Sequence, residues 1–170
     1  AQTAYTEAAR QVGQAIGERG WRLVYGGGNV GLMGEVADAT LAAGGQVVGV
    51  IPELLLQKEV GHHHLTELHV VRTMHERKQL MAEKAHAFMA MPGGIGTLEE
   101  AVETLSWAKL SLHRKPMAFL SENNYWQPYF HLIDHMIEGG FLPESFLQLM
   151  ADTNSPEAAL NALQERAIVL

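Results

Sequence analysis

The residues best suited to chemistry lie in one stretch, where an apolar run over residues 88–91 meets Pro92, three glycines and Thr97-x-x-Glu100. This order predicts a buried strand, a tight turn and the start of a helix. The first turn of a helix presents unpaired N–H groups at the positive end of the helix dipole, and such groups bind phosphate. A capping box is an equally good interpretation, in which Thr97 accepts from the N–H of Glu100 and the carboxylate reaches back.

A second glycine loop has the same predicted setting. A strand over residues 21–25 runs into Gly26-Gly27-Gly28, a helix follows to about residue 43, and a β-branched strand covers residues 47–51. This alternation implies parallel strands with crossover helices, which place ligands at the carboxyl ends of the strands. We therefore predict an α/β chain, a Rossmann-like three-layer fold with a parallel sheet flanked by helices, and two glycine loops at one rim.

A basic pair, Arg77 and Lys78, lies in the first turns of a further predicted helix, with Thr73 as N-cap and Glu76 as its partner. Cations are disfavoured at that end of a helix, so their position suggests a binding site. The alternative is a solvated pair that forms salt bridges along the helix, the usual fate of helical Arg and Lys.

The remaining sequence predicts further elements of the same kind. Within the helix that follows the glycine stretch, Val102 is expected to point inward with Leu98 and Leu105. The predicted elements are helices over residues 4–19, 98–110 and 125–138, strands over 68–71, 116–120 and 146–150, and a last helix capped by Ser155 with Pro156 at its first position.

Composition limits the classes of function. The chain has 170 residues, 47% of them hydrophobic, and a net charge of −7. We expect one domain over residues 1–170, no nucleic-acid partner, no membrane span and a cytoplasmic location. Cysteine is absent from the sequence, which excludes thiolate chemistry. The run His62-His63-His64 permits a metal site, but a solvated loop fits it better because no partner occurs at ligand spacing.

Several motifs together resemble the LOG ("lonely guy") family, many of whose members are called lysine decarboxylase-like. The resemblance extends over about residues 23–141. It rests on Tyr25-Gly26-Gly27-Gly28, Gly49-Val50-Ile51-Pro52, Met74-His75-Glu76-Arg77-Lys78, Pro92-Gly93-Gly94-Ile95-Gly96-Thr97-Leu98-Glu99-Glu100 and His113-Arg114-Lys115-Pro116.

This resemblance implies a phosphoribohydrolase that cleaves the N-glycosidic bond of AMP or N6-modified adenosine 5′-monophosphates, the cytokinin precursors. The products would be the free base and ribose 5-phosphate. It implies Arg77 and Glu100 as the catalytic pair and a homodimer or higher homo-oligomer. The residues expected to contact substrate are Gly27, Gly28, Glu59, Met74, Lys78, Gly93, Gly94, Ile95, Gly96, Thr97 and Ser106.

The chemistry suits these residues. Cleavage of a ribosyl–base bond builds positive charge on the sugar, which a carboxylate such as Glu100 stabilises or uses to activate water. The fork of Arg77 suits phosphate or ribose oxygens. Such hydrolysis needs no metal or redox cofactor. Lysine decarboxylation would require a Schiff-base lysine holding pyridoxal phosphate, and the motifs contain no suitable arrangement.

The sequence departs from the family pattern in several places, two of which bear on the predicted site. The family begins with a strand that ends in a Cys-Gly-Ser or similar turn, whereas this chain begins on a helix, so we expect that strand to lie ahead of Ala1. Ser106 replaces a more usual threonine and keeps the hydroxyl. A nucleotide-binding sensor or carrier on the same fold is the alternative function. The pair Arg77 and Glu100 favours catalysis, because a pure binder need not keep both.

Overall fold

A computed structural model describes residues 3–28, 31–56 and 64–168. Over these ranges helices alternate with strands, and the chain divides into two compact units, Ala1–Ala85 and His86–Leu170. Among the described residues, the helices are too short or too polar for any of them to cross a membrane.

The first unit is built on a parallel sheet in the order β1-β2-β3, with β2 in the centre. Val47, Val48, Val50 and Ile51 of β2 are fully buried, because helices and neighbouring strands cover a central parallel strand. The register pairs Tyr25 with Gly49. The elements are α1 (Thr3–Glu18), β1 (Arg22–Tyr25), α2 (Gly31–Ala42), β2 (Gln46–Pro52), α3 (Glu53–Leu56), β3 (Glu67–Val71) and α4 (Met74–Lys84).

The second unit repeats this plan with a parallel sheet in the order β4-β5-β6. The central strand β5 is buried along its length, and Phe119 stacks on Tyr129 with ring centroids 4.9 Å apart. The elements are β4 (Phe88–Ala90), α5 (Ile95–Lys109), β5 (Met117–Leu120), α6 (Gln127–Glu138), β6 (Met150–Thr153) and α7 (Pro156–Ile168).

The sequence correctly predicts the fold class and the way the strands are connected. The protein is α/β, with parallel sheets flanked by helices. The helix before the first strand ends as expected, with Gly20 in the left-handed region at φ 71°. The hydroxyl of Ser155 accepts from the N–H of Ala158 at 3.2 Å, and Pro156 opens α7.

Two predictions about the second unit are wrong. The strand expected over residues 146–150 is a 3-10 helical turn, Glu144–Leu149, and strand pairing with β5 begins only at Met150. Val102 is 47% exposed, because Ala101 and Leu105 occupy the buried face of α5 instead.

Candidate active site

The N-terminus of α4 forms as the sequence predicts. Thr73 is the N-cap, and its hydroxyl accepts from the N–H of Glu76 at 3.0 Å. The Glu76 carboxylate accepts in turn from the backbone N–H of Arg72 at 2.8 Å, one residue before the cap. This cap fixes the first turn of α4, which carries Arg77.

The guanidinium of Arg77 lies on the first glycine loop. Its Nη2 donates to the carbonyl of Gly26 at 3.0 Å, and Nη1 lies 3.9 Å from the sulfur of Met74. A Cβ on Gly26 would overlap the guanidinium. Arg77 therefore packs on loop backbone, which contradicts the interpretation of this residue as a solvated surface charge.

The loop itself is held by Tyr25, the last residue of β1. The buried Tyr25 hydroxyl donates to the carbonyl of Gly28 at 2.9 Å. Burial, with a smaller contribution from the charge of Asp38, raises the pKa of Tyr25, so the phenol keeps its proton and remains a donor. Gly27 between them has a φ of 79°, a conformation that side chains disfavour.

The second glycine stretch forms the open end of α5. The helix begins at Ile95 with Gly94 as N-cap, and Gly94 supplies no side-chain cap. The first intrahelical bond runs from the N–H of Leu98 to the carbonyl of Gly94 at 3.2 Å. The N–H groups of residues 95–97 precede that bond, where helical geometry offers them no carbonyl.

The predicted capping box at Thr97 is wrong. Thr97 is the third helical residue rather than the N-cap, because the helix starts two residues earlier than the Thr-x-x-Glu pattern suggests. Its side chain instead folds back over Gly93, where a Cβ would overlap it. The phosphate-cradle interpretation of the stretch therefore no longer competes with a Thr97 cap.

Space around this helix end is open. Gly94 has an ordinary φ of −95°, and a Cβ at Gly94 or Gly96 would meet no atom of the described residues within 4 Å. Neither glycine is therefore needed to relieve crowding within the fold. Their lack of side chains leaves the first turn of α5 accessible to a ligand.

Glu100 lies on the same face of α5 as this open turn. It follows Gly96 by four residues and Thr97 by three, which places the three side-chain positions in one row along the helix. The residue is half-buried. Its carbonyl accepts from the hydroxyl of Thr104 at 2.8 Å. A carboxylate one turn inside an open helix end suits a reaction in which an anion binds at that end.

The other predicted site residues have varied placements. Lys78 is half-buried on α4, and Met74 is exposed beside Arg77. Ser106 lies exposed on α5, about 120° around the helix axis from Glu100, since each residue turns the helix by about 100°. Within this unit, Ser106 and Glu100 therefore point in different directions.

Not every residue singled out from the sequence falls within the described ranges. Glu59, His62 and His63 lie outside the described residues, and His64 is exposed at their edge. Among the residues that the structure does describe, no three His, Asp or Glu side chains are grouped to hold a metal ion.

Two residues that support the loops were not among the residues predicted to form the site. Gly26 touches the Arg77 guanidinium, and the hydroxyl of Tyr125 donates to the carbonyl of Gly93. These pairs are 51 and 32 residues apart along the chain. No local pattern encodes such contacts. The position of Gly26 at the end of a strand was nevertheless a usable signal, because glycine is common where another group approaches the backbone closely.

Solved structures with the same fold include molybdenum cofactor proteins. The Moco carrier protein of Chlamydomonas reinhardtii matches with a TM-score of 0.73 at 21% identity, covering 98% of this chain and 89% of that one. The molybdenum cofactor binding protein of Rippkaea orientalis matches with a TM-score of 0.72, also at 21% identity, covering 100% and 91%. At this identity the likeness concerns the fold alone.

Sequence relatives are much more similar. Cytokinin riboside 5′-monophosphate phosphoribohydrolase of Rhodococcoides fascians is 47% identical over 95% of this chain and 82% of its own length. The LOG7 enzyme of Arabidopsis thaliana, which carries the same description, is 40% identical over 95% and 74%. Residues 33–163 also match the family model described as "Possible lysine decarboxylase". By these relatives and motifs, the chain belongs to the LOG family of cytokinin riboside 5′-monophosphate phosphoribohydrolases.

Proposed function

We propose that this protein hydrolyses the N-glycosidic bond of AMP or of N6-modified adenosine 5′-monophosphates. The products are the free base and ribose 5-phosphate. The observation that carries the proposal is the open first turn of α5, where Gly94 and Gly96 leave space for a ligand and Glu100 lies one turn further along the same face. The names of the relatives give the substrate class.

The first turn of α5 is proposed to bind the 5′-phosphate through the N–H groups of Ile95, Gly96 and Thr97. As the bond between ribose and base lengthens, positive charge develops on the sugar. The Glu100 carboxylate stabilises that charge and orients water toward the anomeric carbon. Water adds its hydroxyl group to the anomeric carbon of ribose 5-phosphate. The remaining proton of that water is matched by the proton that the departing base takes up.

Arg77 is proposed as the second catalytic residue. Its guanidinium is held at the Gly26 carbonyl by one N–H, which leaves further N–H groups of the fork to contact phosphate or ribose oxygens. A fixed position lowers the entropy lost when those contacts form. Lys78, Met74, Gly27, Gly28, Gly93, Glu59 and Ser106 stay proposed substrate contacts.

Incubation with nucleotides tests this function. The full chain is incubated with AMP, with N6-substituted AMP and with adenosine, and the free base is measured by chromatography. We expect base from the monophosphates and much less from adenosine, because adenosine lacks the phosphate that the α5 turn binds. Tight binding of a monophosphate with no base released would favour the nucleotide sensor or carrier instead.

The substitution Gly96→Ala is expected to raise the stability of the fold and to weaken AMP binding. Alanine is a better helix former than glycine, so the free energy of unfolding should rise by about 0.5 kcal/mol, measured by urea denaturation. The added methyl group occupies the open space of the first turn, so AMP affinity should fall several-fold in calorimetry. Gly139→Ala, at a position of ordinary φ (−75°) ending α6, is the matched control and should leave AMP affinity unchanged. Wild-type affinity in Gly96→Ala would contradict a phosphate site at this turn.

A homodimer or higher homo-oligomer is also proposed. The side chains of Ile95, Val102, Leu110 and Leu112, on α5 and just after it, are 81%, 47%, 65% and 70% exposed. Apolar side chains exposed along one helix favour association with a second copy. Sedimentation velocity should therefore give at least twice the monomer mass of 18.7 kDa. Val102→Glu should shift the protein toward that monomer mass, and a wild-type protein that sediments as a monomer would refute the proposal.

A further inference from the structure

We infer that Tyr125 is a positioning residue for the phosphate-binding turn: its hydroxyl fixes the peptide that joins Gly93 to Gly94. The inference rests on the proposed binding of a phosphate at this turn. It concerns a residue that none of the family motifs above includes.

The contact joins two loops that leave neighbouring strands. β4 and β5 pair in parallel, with Ala90 opposite Phe119, so the segments that follow them emerge side by side. The segment after β4 carries Gly93 and Gly94, and the segment after β5 carries Tyr125. The Tyr125 hydroxyl donates to the carbonyl of Gly93 across this gap.

The peptide held by this hydrogen bond joins two glycines. Neither residue has a side chain of its own that would limit the backbone angles beside this peptide. A peptide unit is planar, and the C=O of Gly93 and the N–H of Gly94 point in opposite directions within it. A bond to the carbonyl therefore also sets the direction of the N–H at the N-cap of α5.

Tyr125 is 37% exposed, and its buried neighbour Trp126 supports it. Its ring packs edge-on against Trp126 with centroids 5.1 Å apart, and Trp126 is buried. The N–H of Trp126 donates to the hydroxyl of Ser121 at 2.9 Å. Asn123 and Asn124, which directly precede Tyr125, adopt positive φ values of 53° and 58°. Such values are uncommon for residues other than glycine. With this backbone shape, the phenol of Tyr125 reaches the carbonyl of Gly93.

Loss of the Tyr125 hydroxyl should weaken the binding of phosphate-bearing ligands. Without it the Gly93–Gly94 peptide populates other orientations, and the apparent dissociation constant rises as the inverse of the fraction that remains in the binding-competent orientation. Since a neutral hydrogen bond contributes modestly, we expect Tyr125→Phe to weaken binding of ribose 5-phosphate by about 3- to 10-fold. KM for AMP should rise by a similar factor while kcat changes little, because the reacting atoms are not touched.

Tyr129→Phe is the matched control. Tyr129 is a buried tyrosine of α6 whose hydroxyl lies 3.6 Å from the sulfur of Met150. Its removal should leave ribose 5-phosphate affinity and KM for AMP unchanged. Adenosine adds a second control, because it carries no phosphate, so its affinity should be equal in wild type and Tyr125→Phe.

Calorimetry with the full chain and ribose 5-phosphate tests the inference, together with inorganic phosphate, adenosine and steady-state turnover of AMP. Weaker binding of ribose 5-phosphate in Tyr125→Phe, with unchanged adenosine affinity, supports it. Equal affinity in both proteins overturns it, as does an equal loss for adenosine, which indicates general damage to the fold. If wild type binds ribose 5-phosphate yet releases no base from AMP, hydrolysis fails as the function while the positioning role is still measured.

Discussion

Replacement of Glu100 by glutamine is expected to abolish most base release from AMP while leaving AMP bound. The amide keeps the size of the carboxylate but removes the negative charge that opposes the charge developing on ribose. We expect kcat to fall by about 10²- to 10⁴-fold, the range for loss of a charged or proton-transferring group. The dissociation constant for AMP should remain close to the wild-type value, because the α5 turn still holds the phosphate.

Glu99→Gln is the matched control for this change. Glu99 precedes Glu100 on the same helix but is exposed, and it lies about 100° away around the axis. The Glu99→Gln variant should therefore turn over AMP at the wild-type rate. Wild-type kcat in Glu100→Gln, or an equal loss in Glu99→Gln, would remove Glu100 from the chemistry.

The second large effect is expected at a glycine. In Gly26→Ala the new methyl group occupies the place of the Arg77 guanidinium, so the arginine must leave the loop. We expect kcat/KM for AMP to fall by about 10- to 100-fold, the effect of losing a charged hydrogen-bonding group. Arg77→Ala should cause a loss of the same size, and Arg72→Ala, at an arginine with an 82% exposed side chain, should not.

A double-mutant cycle decides whether the two changes share one cause. If Gly26 acts by placing Arg77, the variant with both substitutions loses no more activity than either single variant. Losses that multiply would instead mean that Gly26 and Arg77 act independently. Urea denaturation of all three variants shows whether any loss reflects unfolding.

Much of the fold follows from local patterns in the sequence. The glycines after Tyr25 and the Pro-Gly-Gly run after β4 mark strand ends, and periodic apolar residues mark the crossover helices between them. The cap of α4 at Thr73 is also local, since its partner Glu76 is three residues away. These signals depend on neighbours along the chain, which is why they could be read without a structure.

The wrong predictions concern the boundaries of two elements, the start of α5 and the start of β6. Thr97-x-x-Glu100 resembles a capping box, yet Gly94 takes the N-cap position because the chain leaves the Pro-Gly-Gly turn already in helical geometry at Ile95. Residues 146–149 have strand-like composition, but pairing with β5 starts at Met150, and the preceding residues coil into a 3-10 turn. Backbone geometry after the Pro-Gly-Gly turn decided the first case, and the register of β6 against β5 decided the second.

The residues proposed for the site come from sequence motifs, whereas the contacts that hold two of its loops in place appear only in the structure. The motifs identified Arg77 and the glycine stretch, whereas the contacts of Arg77 with Gly26 and of Tyr125 with Gly93 join distant parts of the chain. Such contacts depend on which loops the strand order places side by side. They determine how rigidly the functional groups are held, and therefore how strongly their loss should affect activity.

Product stoichiometry is the most direct test of the proposed hydrolysis. AMP is incubated with the full chain, and adenine, ribose 5-phosphate, adenosine and inorganic phosphate are quantified together. Hydrolysis of the N-glycosidic bond predicts one ribose 5-phosphate for every adenine, no adenosine and no inorganic phosphate, with product formation lost in Glu100→Gln. Adenosine with an equal amount of inorganic phosphate, or AMP recovered intact, would contradict it.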